Sequence, residues 1–134
     1  MLSLGSAEAD LSAARWRDAA LHARSSIENA AKAILGCFAS VPKTHEPRDC
    51  LEEALRHPSF PPALAARAQA VLPVLSGYGM EDHVRIAEGD EQRQLDPWEL
   101  VTEDEARRAV ETARAMTSLS ADVYHLMFGK PPEG

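Results

Sequence analysis

The chain has 134 residues, a mass of 14.6 kDa and a formal net charge of -7, and a length of this order predicts one domain spanning residues 1–134. Its hydrophobic fraction of 45% is too high for an intrinsically disordered chain, and it lacks the run of about 18 apolar residues that would cross a membrane. The acidic balance argues against general DNA binding, although a local basic patch remains able to bind a phosphate.

Alanine, leucine, glutamate and arginine dominate the sequence, which favours helices over strands. The first predicted helix runs from about Ala7 to Ala39, with Ser6 as its N-cap. Apolar residues recur within it at steps of four and three, a pattern that indicates one buried face of a long amphipathic helix. The residues on that face are Trp16, Ala20, Ala23, Ile27, Ala30, Ile34 and Phe38.

Prolines mark the ends of two shorter helices in the middle of the chain. Pro42 lies in a break at residues 40–46, and Pro47 fits the first turn of a second helix that ends near His57. A third helix is predicted over residues 63–76, and Pro73 is expected to kink or end it. The residues expected to be buried in these two helices are Leu51, Ala54, Leu55, Leu64, Ala68, Val71, Leu72 and Leu75.

A long irregular stretch, residues 77–98, precedes the last predicted helix, and a loop of this length in a small domain is typically functional or mobile. Thr102 and Glu105 have the spacing of a capping box at the start of that helix. The helix is expected to end at Gly129, which leaves residues 130–134 as a frayed tail. Four to five helical segments joined by short connections predict an all-α fold, an antiparallel up-and-down helical bundle.

Basic and acidic residues are concentrated in different parts of the chain. Residues 11–45 hold five bases and two acids, whereas residues 81–105 hold ten acids and two bases. One interpretation is a phosphate or nucleotide site near the first helix, or an acidic loop that docks a partner. The other is that the two regions neutralise each other across the bundle. Arg24, Glu28 and Lys32 follow one another at four-residue steps, which favours a solvated stripe of ion pairs over a ligand site.

The sequence gives no indication of export, a metal site or a cofactor. The N-terminus has no basic n-region, so we expect a cytoplasmic protein in which Cys37 and Cys50 are free thiols. Five histidines are scattered without a metal-binding spacing, and no glycine-rich phosphate loop or nucleophile motif is present. The acids of residues 81–91 indicate a solvated loop rather than a Mg²⁺ site. We therefore expect no cofactor and no bound metal.

Several segments, in order along the chain, resemble the HEPN (higher eukaryotes and prokaryotes nucleotide-binding) domain. The segment from Ala20 to Leu35 resembles the family's first long helix, and Glu28-Asn29-Ala30-Ala31-Lys32-Ala33 is its most characteristic part. Further matching segments are Thr44–Pro47 with Leu51, His83–Arg85, Gly89-Asp90, Pro97 and Thr102–Ala106. The resemblance implies a helical bundle that forms a homodimer. Many small members of that family are partners of a minimal nucleotidyltransferase in a prokaryotic toxin–antitoxin-type system, whereas others are metal-independent ribonucleases. The resemblance therefore implies either role for this chain.

The nuclease members of that family use an arginine followed, after four to six residues, by a histidine. By that resemblance the histidine exchanges a proton with the ribose 2′-OH and the arginine stabilises charge on the phosphate. In this sequence the spacing occurs at Arg17 and His22, with Arg15 also in range, in the first helix rather than toward the later ones. Five residues of helix leave two side chains about 140° apart. Arg17 and His22 are therefore not expected to meet on one phosphate within a subunit.

The interpretation that follows is a non-catalytic HEPN-like module that binds a nucleotide, a nucleotidyltransferase partner, or both. One alternative is a metal-independent ribonuclease toxin that uses Arg17 and His22, and the other is a structural dimerisation domain. No membrane partner is expected. The candidate residues for phosphate contact are Arg24, Lys32, Lys43, His45, His83 and Arg85.

Overall fold

The computed structural model describes residues 2–40, 46–76 and 101–129, and these ranges contain five α-helices and no strand. The two longest helices, α2 and α5, form the main contact of the bundle, α1 and α3 pack on α2, and α4 packs on α3 and α5. The predicted all-α helical bundle is therefore confirmed. The helices are α1 (Leu2–Ser12), α2 (Trp16–Gly36), α3 (Pro47–Arg56), α4 (Pro62–Leu75) and α5 (Glu103–Phe128).

The predicted single helix from Ala7 to Ala39 is wrong, because the chain turns sharply between α1 and α2. The amide of Arg15 donates to the carbonyl of Asp10 at 2.8 Å, and the amide of Ala14 donates to the carbonyl of Leu11 at 3.1 Å. Ala14 has φ 60°, in the left-handed region. This pair of hydrogen bonds is a Schellman motif, which ends α1 at Ser12. Ser6, the predicted N-cap, lies inside α1.

The face predicted for the first long helix forms the buried side of α2. Ala20, Ala23, Ile27, Ala30 and Ile34 are all buried there. The two ends of the predicted stripe, Trp16 and Phe38, are partly buried and pack against the same core. Alanines make up eleven of the 24 buried hydrophobic residues in the described ranges, so much of the core is built from small side chains.

The shorter helices follow their proline signals closely. α3 begins at Pro47 as predicted, with Leu51 and Ala54 buried. α4 begins at Pro62, buries Leu64, Ala68 and Leu75, and continues two residues beyond Pro73. Leu55, Val71 and Leu72 are partly buried against the core.

The limits of α5 also agree with the sequence. Thr102 is its N-cap, and the Oγ1 atom accepts a hydrogen bond from the amide of Glu105 at 3.1 Å. At the other end Gly129 has φ 89°, and its amide donates to the carbonyl of His125 at 2.8 Å. Ser26 of α2 and Thr117 of α5 add a hydroxyl contact of 3.2 Å between the two long helices. Within the described ranges, no helix is long and apolar enough to cross a membrane.

Candidate functional site

A buried carboxylate at the end of α1 holds an arginine and a histidine together. Asp10 is only 6% exposed. Its Oδ1 atom accepts hydrogen bonds from Nε and Nη2 of Arg15 at 2.9 and 2.6 Å. Its Oδ2 atom lies 2.6 Å from Nδ1 of His22. Both carboxylate oxygens of Asp10 are therefore engaged, one by each basic side chain.

The turn between α1 and α2 creates this arrangement. Arg15 precedes the first turn of α2, so its side chain is not constrained to the helix surface and folds back onto Asp10. His22 lies about 1.7 turns into α2, on the side that meets α1. The contacts of Asp10 with Arg15 and His22 therefore join the same two helices, α1 and α2, that the backbone turn connects.

The electrostatic balance at Asp10 favours its ionised form. Burial raises the pKa of the carboxyl group. The hydrogen bonds from Arg15 and His22, together with their positive charges, lower the pKa by more than burial raises it, and it lies below the usual 3.8. Asp10 is therefore a carboxylate at neutral pH and accepts hydrogen bonds from both neighbours.

The two basic side chains remain accessible although their carboxylate is buried. The Arg15 side chain is 52% exposed and that of His22 is 47% exposed. Because Nδ1 of His22 faces Asp10, Nε2 is the ring nitrogen on the far side from the carboxylate. We call the exposed parts of Arg15 and His22 the Arg15–His22 face.

This face combines the groups that recognise an anionic oxygen and exchange a proton. A guanidinium is a donor suited to phosphate, and an imidazole gains or loses a proton near neutral pH. With Asp10 ionised and Arg15 charged, the cluster is neutral when His22 is neutral and carries one positive charge when His22 is protonated. Within the described ranges, no group of three or more His, Cys, Asp or Glu residues is placed to hold a metal ion.

Arg17 and His22, the two residues proposed as a ribonuclease pair, contact different carboxylates. Nη1 of Arg17 lies 3.9 Å from Oδ1 of Asp18, and the Arg17 side chain is only 20% exposed. His22 is joined through Asp10 to Arg15 instead. Arg17 and His22 both lie in α2 and so point about 140° apart, whereas Arg15 lies before that helix. The spacing from Arg15 to His22, with six residues between them, is the one that brings an arginine and a histidine together.

Of the six residues proposed for phosphate contact, two lie in the described ranges. Arg24 is 1% exposed, so its guanidinium lies inside the bundle and away from a ligand at the surface. Lys32 is partly exposed. Arg24, Glu28 and Lys32 therefore do not form a single solvated stripe. The other four candidates, Lys43, His45, His83 and Arg85, lie outside the described residues.

The two cysteines offer no activated thiol. Both are free, Cys37 partly exposed and Cys50 buried. Burial raises the pKa of each thiol, and at Cys50 the nearby charge of Lys32 only partly opposes this effect.

Comparison with protein-family models places the chain in a known class of helical-bundle domains. The HEPN domain model matches residues 2–123, nearly the whole chain. The chain belongs to the HEPN family. No curated protein and no solved structure matches it.

The central residue of the site, Asp10, belongs to no recognisable motif in the sequence, and Arg15 is distinguished there only by its spacing from His22. Residues five apart diverge on a continuous helix, so Asp10 and Arg15 give no pairing signal unless the turn between them is recognised.

Proposed function

We propose that this chain is a HEPN binding module whose ligand carries a phosphate, such as a nucleotide, and that the ligand binds at the Arg15–His22 face. The observation that carries the proposal is an exposed guanidinium and an exposed imidazole held on the two oxygens of one buried carboxylate. Neither side chain must reorganise to meet a ligand at this face, which lowers the cost of binding.

The Arg15–His22 face by itself is a weak anion site, because Asp10 offsets the charge of Arg15. A nucleotide therefore needs further contacts. We propose that these come from a second copy of the chain or from a minimal nucleotidyltransferase, the partners implied by the resemblance to HEPN proteins. A prokaryotic toxin–antitoxin-type system and a cytoplasmic location belong to the same proposal.

Isothermal titration with ATP and AMP tests nucleotide binding. Arg15→Ala and His22→Ala are each expected to weaken binding by about tenfold or more, which corresponds to the loss of one charge-assisted hydrogen bond. Arg67→Ala is a matched control: Arg67 is 44% exposed and lies 2.6 Å from Asp122, but on α4. Wild-type protein that binds neither nucleotide at millimolar concentration and co-purifies with no protein partner would contradict the proposal.

A second candidate function is metal-independent RNA cleavage. It is favoured by one specific observation, the contact of 2.6 Å between Asp10 and His22 beside Arg15. A histidine oriented by a carboxylate is suited to move a proton at the ribose 2′-OH, and Arg15 is placed to stabilise charge on the phosphate. This version of the ribonuclease alternative uses Arg15 rather than Arg17.

RNA cleavage measured in EDTA separates the two candidates. A ribonuclease is expected to lose activity in His22→Ala and to retain it in His125→Ala, a substitution of an exposed histidine on α5. If the wild type does not cleave RNA, the catalytic candidate fails and the binding module stands alone. If both variants cleave as the wild type does, the activity does not belong to the Arg15–His22 face.

A further inference from the structure

We infer that Asp10 is a positioning residue that fixes the tautomer of His22, so that the neutral ring carries its proton on Nδ1 and presents an unprotonated Nε2 at the Arg15–His22 face. This role depends on the proposed function, because it specifies how His22 meets a ligand there. It assigns to Asp10 a task beyond joining α1 to α2.

The hydrogen-bonding capacity of the two groups sets the tautomer. An ionised carboxylate has only acceptors, whereas a neutral imidazole has one N–H and one lone pair. Oδ2 of Asp10 lies 2.6 Å from Nδ1 of His22, so Nδ1 must be the donor. The single proton of the neutral ring is then used, and Nε2 carries the lone pair.

The other carboxylate oxygen of Asp10, Oδ1, holds the carboxylate in place against His22. Oδ1 already accepts two hydrogen bonds from Arg15, at 2.9 and 2.6 Å. Because Asp10 is 6% exposed, water has little access to replace either partner. The carboxylate is thus held in one orientation, with its Oδ2 atom facing His22.

A ligand therefore finds a defined nitrogen on His22. In the neutral ring, Nε2 accepts a hydrogen bond from a ligand hydroxyl or removes its proton. In the protonated ring, Nε2–H donates to an anionic oxygen, and Nδ1–H still faces Asp10. The ring keeps its orientation in both states, and only the role of Nε2 changes.

The isosteric substitution Asp10→Asn should reverse the tautomer. Arg15 has only donors, so the new amide must turn its oxygen toward Arg15 and its NH₂ toward His22. Nδ1 of His22 then has to accept, and the ring proton moves to Nε2. Asp122→Asn is the matched control, since Asp122 also lies 2.6 Å from an arginine but contacts no histidine in the described ranges.

Long-range ¹H–¹⁵N NMR spectra of the full ¹⁵N-labelled chain report the tautomer directly when they are recorded at a pH where the ring ¹⁵N shifts show that His22 is neutral. We expect Nδ1–H in the wild type and in Asp122→Asn, and Nε2–H in Asp10→Asn. An Nε2–H tautomer in the wild type overturns the inference without any variant, so the test survives if Asp10→Asn does not fold. An Asp10→Asn protein that folds and keeps Nδ1–H overturns it as well.

A phosphate titration distinguishes failure of this inference from failure of the proposed function. The tautomer is measured without ligand on the neutral ring. Inorganic phosphate is then added at a lower pH, where the ring ¹⁵N shifts show that His22 is protonated and Nε2–H can donate to an anionic oxygen. An Nδ1–H tautomer with no response to phosphate, together with no nucleotide binding, supports the role of Asp10 and contradicts the proposed function. A phosphate response in a wild type that has the Nε2–H tautomer supports the binding face and overturns the role of Asp10.

Discussion

Asp10 and Arg15 are joined twice, once through the backbone and once through their side chains. The amide of Arg15 donates to the carbonyl of Asp10 at 2.8 Å, and its Nη2 atom lies 2.6 Å from the Asp10 carboxylate. The same two residues therefore close the turn between α1 and α2 and build the Arg15–His22 face. Stability and function are expected to change together at Asp10.

Asp10→Ala is expected to lower the free energy of unfolding by about 1–3 kcal/mol, because it removes hydrogen bonds between charged groups at a buried position. Urea denaturation followed by circular dichroism measures the change. Asp122→Ala breaks an arginine contact of similar length, but Asp122 is 48% exposed on its side chain. That control is expected to cost less than about 1 kcal/mol. Equal losses of unfolding free energy in the two variants would mean that the burial of Asp10 does not strengthen its contacts.

The contribution of Asp10 should depend on pH in one direction. Its pKa in the folded chain lies below 3.8, so the folded state releases this proton more readily than the unfolded state. The stabilisation is fully present above the unfolded pKa and is lost as the pH falls through the folded pKa. The difference in unfolding free energy between the wild type and Asp10→Ala should therefore shrink as the pH falls from about 5 to below about 4. A difference that grows as the pH falls below about 5 would contradict the sign of the pKa shift.

Ala14→Gly is expected to stabilise the chain, although glycine usually weakens helical proteins. Ala14 has φ 60°, where an alanine is strained by about 1–2 kcal/mol and a glycine is not. The greater entropy of glycine in the unfolded chain reduces this stabilisation by roughly 0.5–1 kcal/mol. Thermal melting should show a small rise in Tm. Ala13→Gly at the neighbouring position, where φ is not positive, should give no rise.

Ile27→Ala is expected to cost about 2–5 kcal/mol, because Ile27 is fully buried on the inner face of α2. Asn29→Ala lies two residues further along the same helix at an exposed position and is expected to change stability by less than about 0.5 kcal/mol. Urea unfolding of both variants checks the pair. Similar losses would contradict the assignment of Ile27 to the buried face of α2 and of Asn29 to its exposed face.

Thr102→Ala is expected to cost about 1 kcal/mol, since Oγ1 of Thr102 caps the amide of Glu105 at the start of α5. Thr102→Ser keeps a hydroxyl at the cap and should retain most of that stability. Thermal melting of the two variants separates the cap from the rest of the side chain. A Ser variant as unstable as the Ala variant would assign the loss to the missing methyl group.

Periodicity predicted most of the bundle because burial in helices follows a simple repeat. The steps of four and three from Ala20 to Ile34 identified the inner face of α2, and Thr102 with Gly129 located both ends of α5. These features depend only on neighbours along the chain. They can therefore be predicted without knowledge of the tertiary structure.

To predict the burial of Arg24, one needs the rotation of residues around the helix axis as well as the spacing of the charges along the sequence. Successive four-residue steps rotate by about 40°, so a row at i, i+4 and i+8 does not stay on one face. Arg24 lies four residues after Ala20 and three before Ile27, within the buried arc, whereas Glu28 and Lys32 lie progressively further outside it. The charges of Arg24, Glu28 and Lys32 predict a solvated stripe, but the position of Arg24 on the helix places it in the core.

The turn at Ala14 could not be predicted from local preference. Alanine and arginine both favour helix, and no glycine or proline marks the break. The turn is supported by Asp10, Arg15 and His22, whose contacts exist only once α1 lies against α2. The candidate site was missed for the same reason.

The many buried alanines of the bundle also affect how it responds to a ligand. Alanine has no side-chain rotamers to lose, so its burial carries almost no side-chain entropy cost. Alanine also has no alternative rotamer to adopt, so a contact built from alanines cannot adapt by repacking of side chains. The buried alanines therefore favour movement of whole helices over rearrangement of side chains when a ligand displaces part of the bundle. Such a core is suited to transmit a small shift without absorbing it.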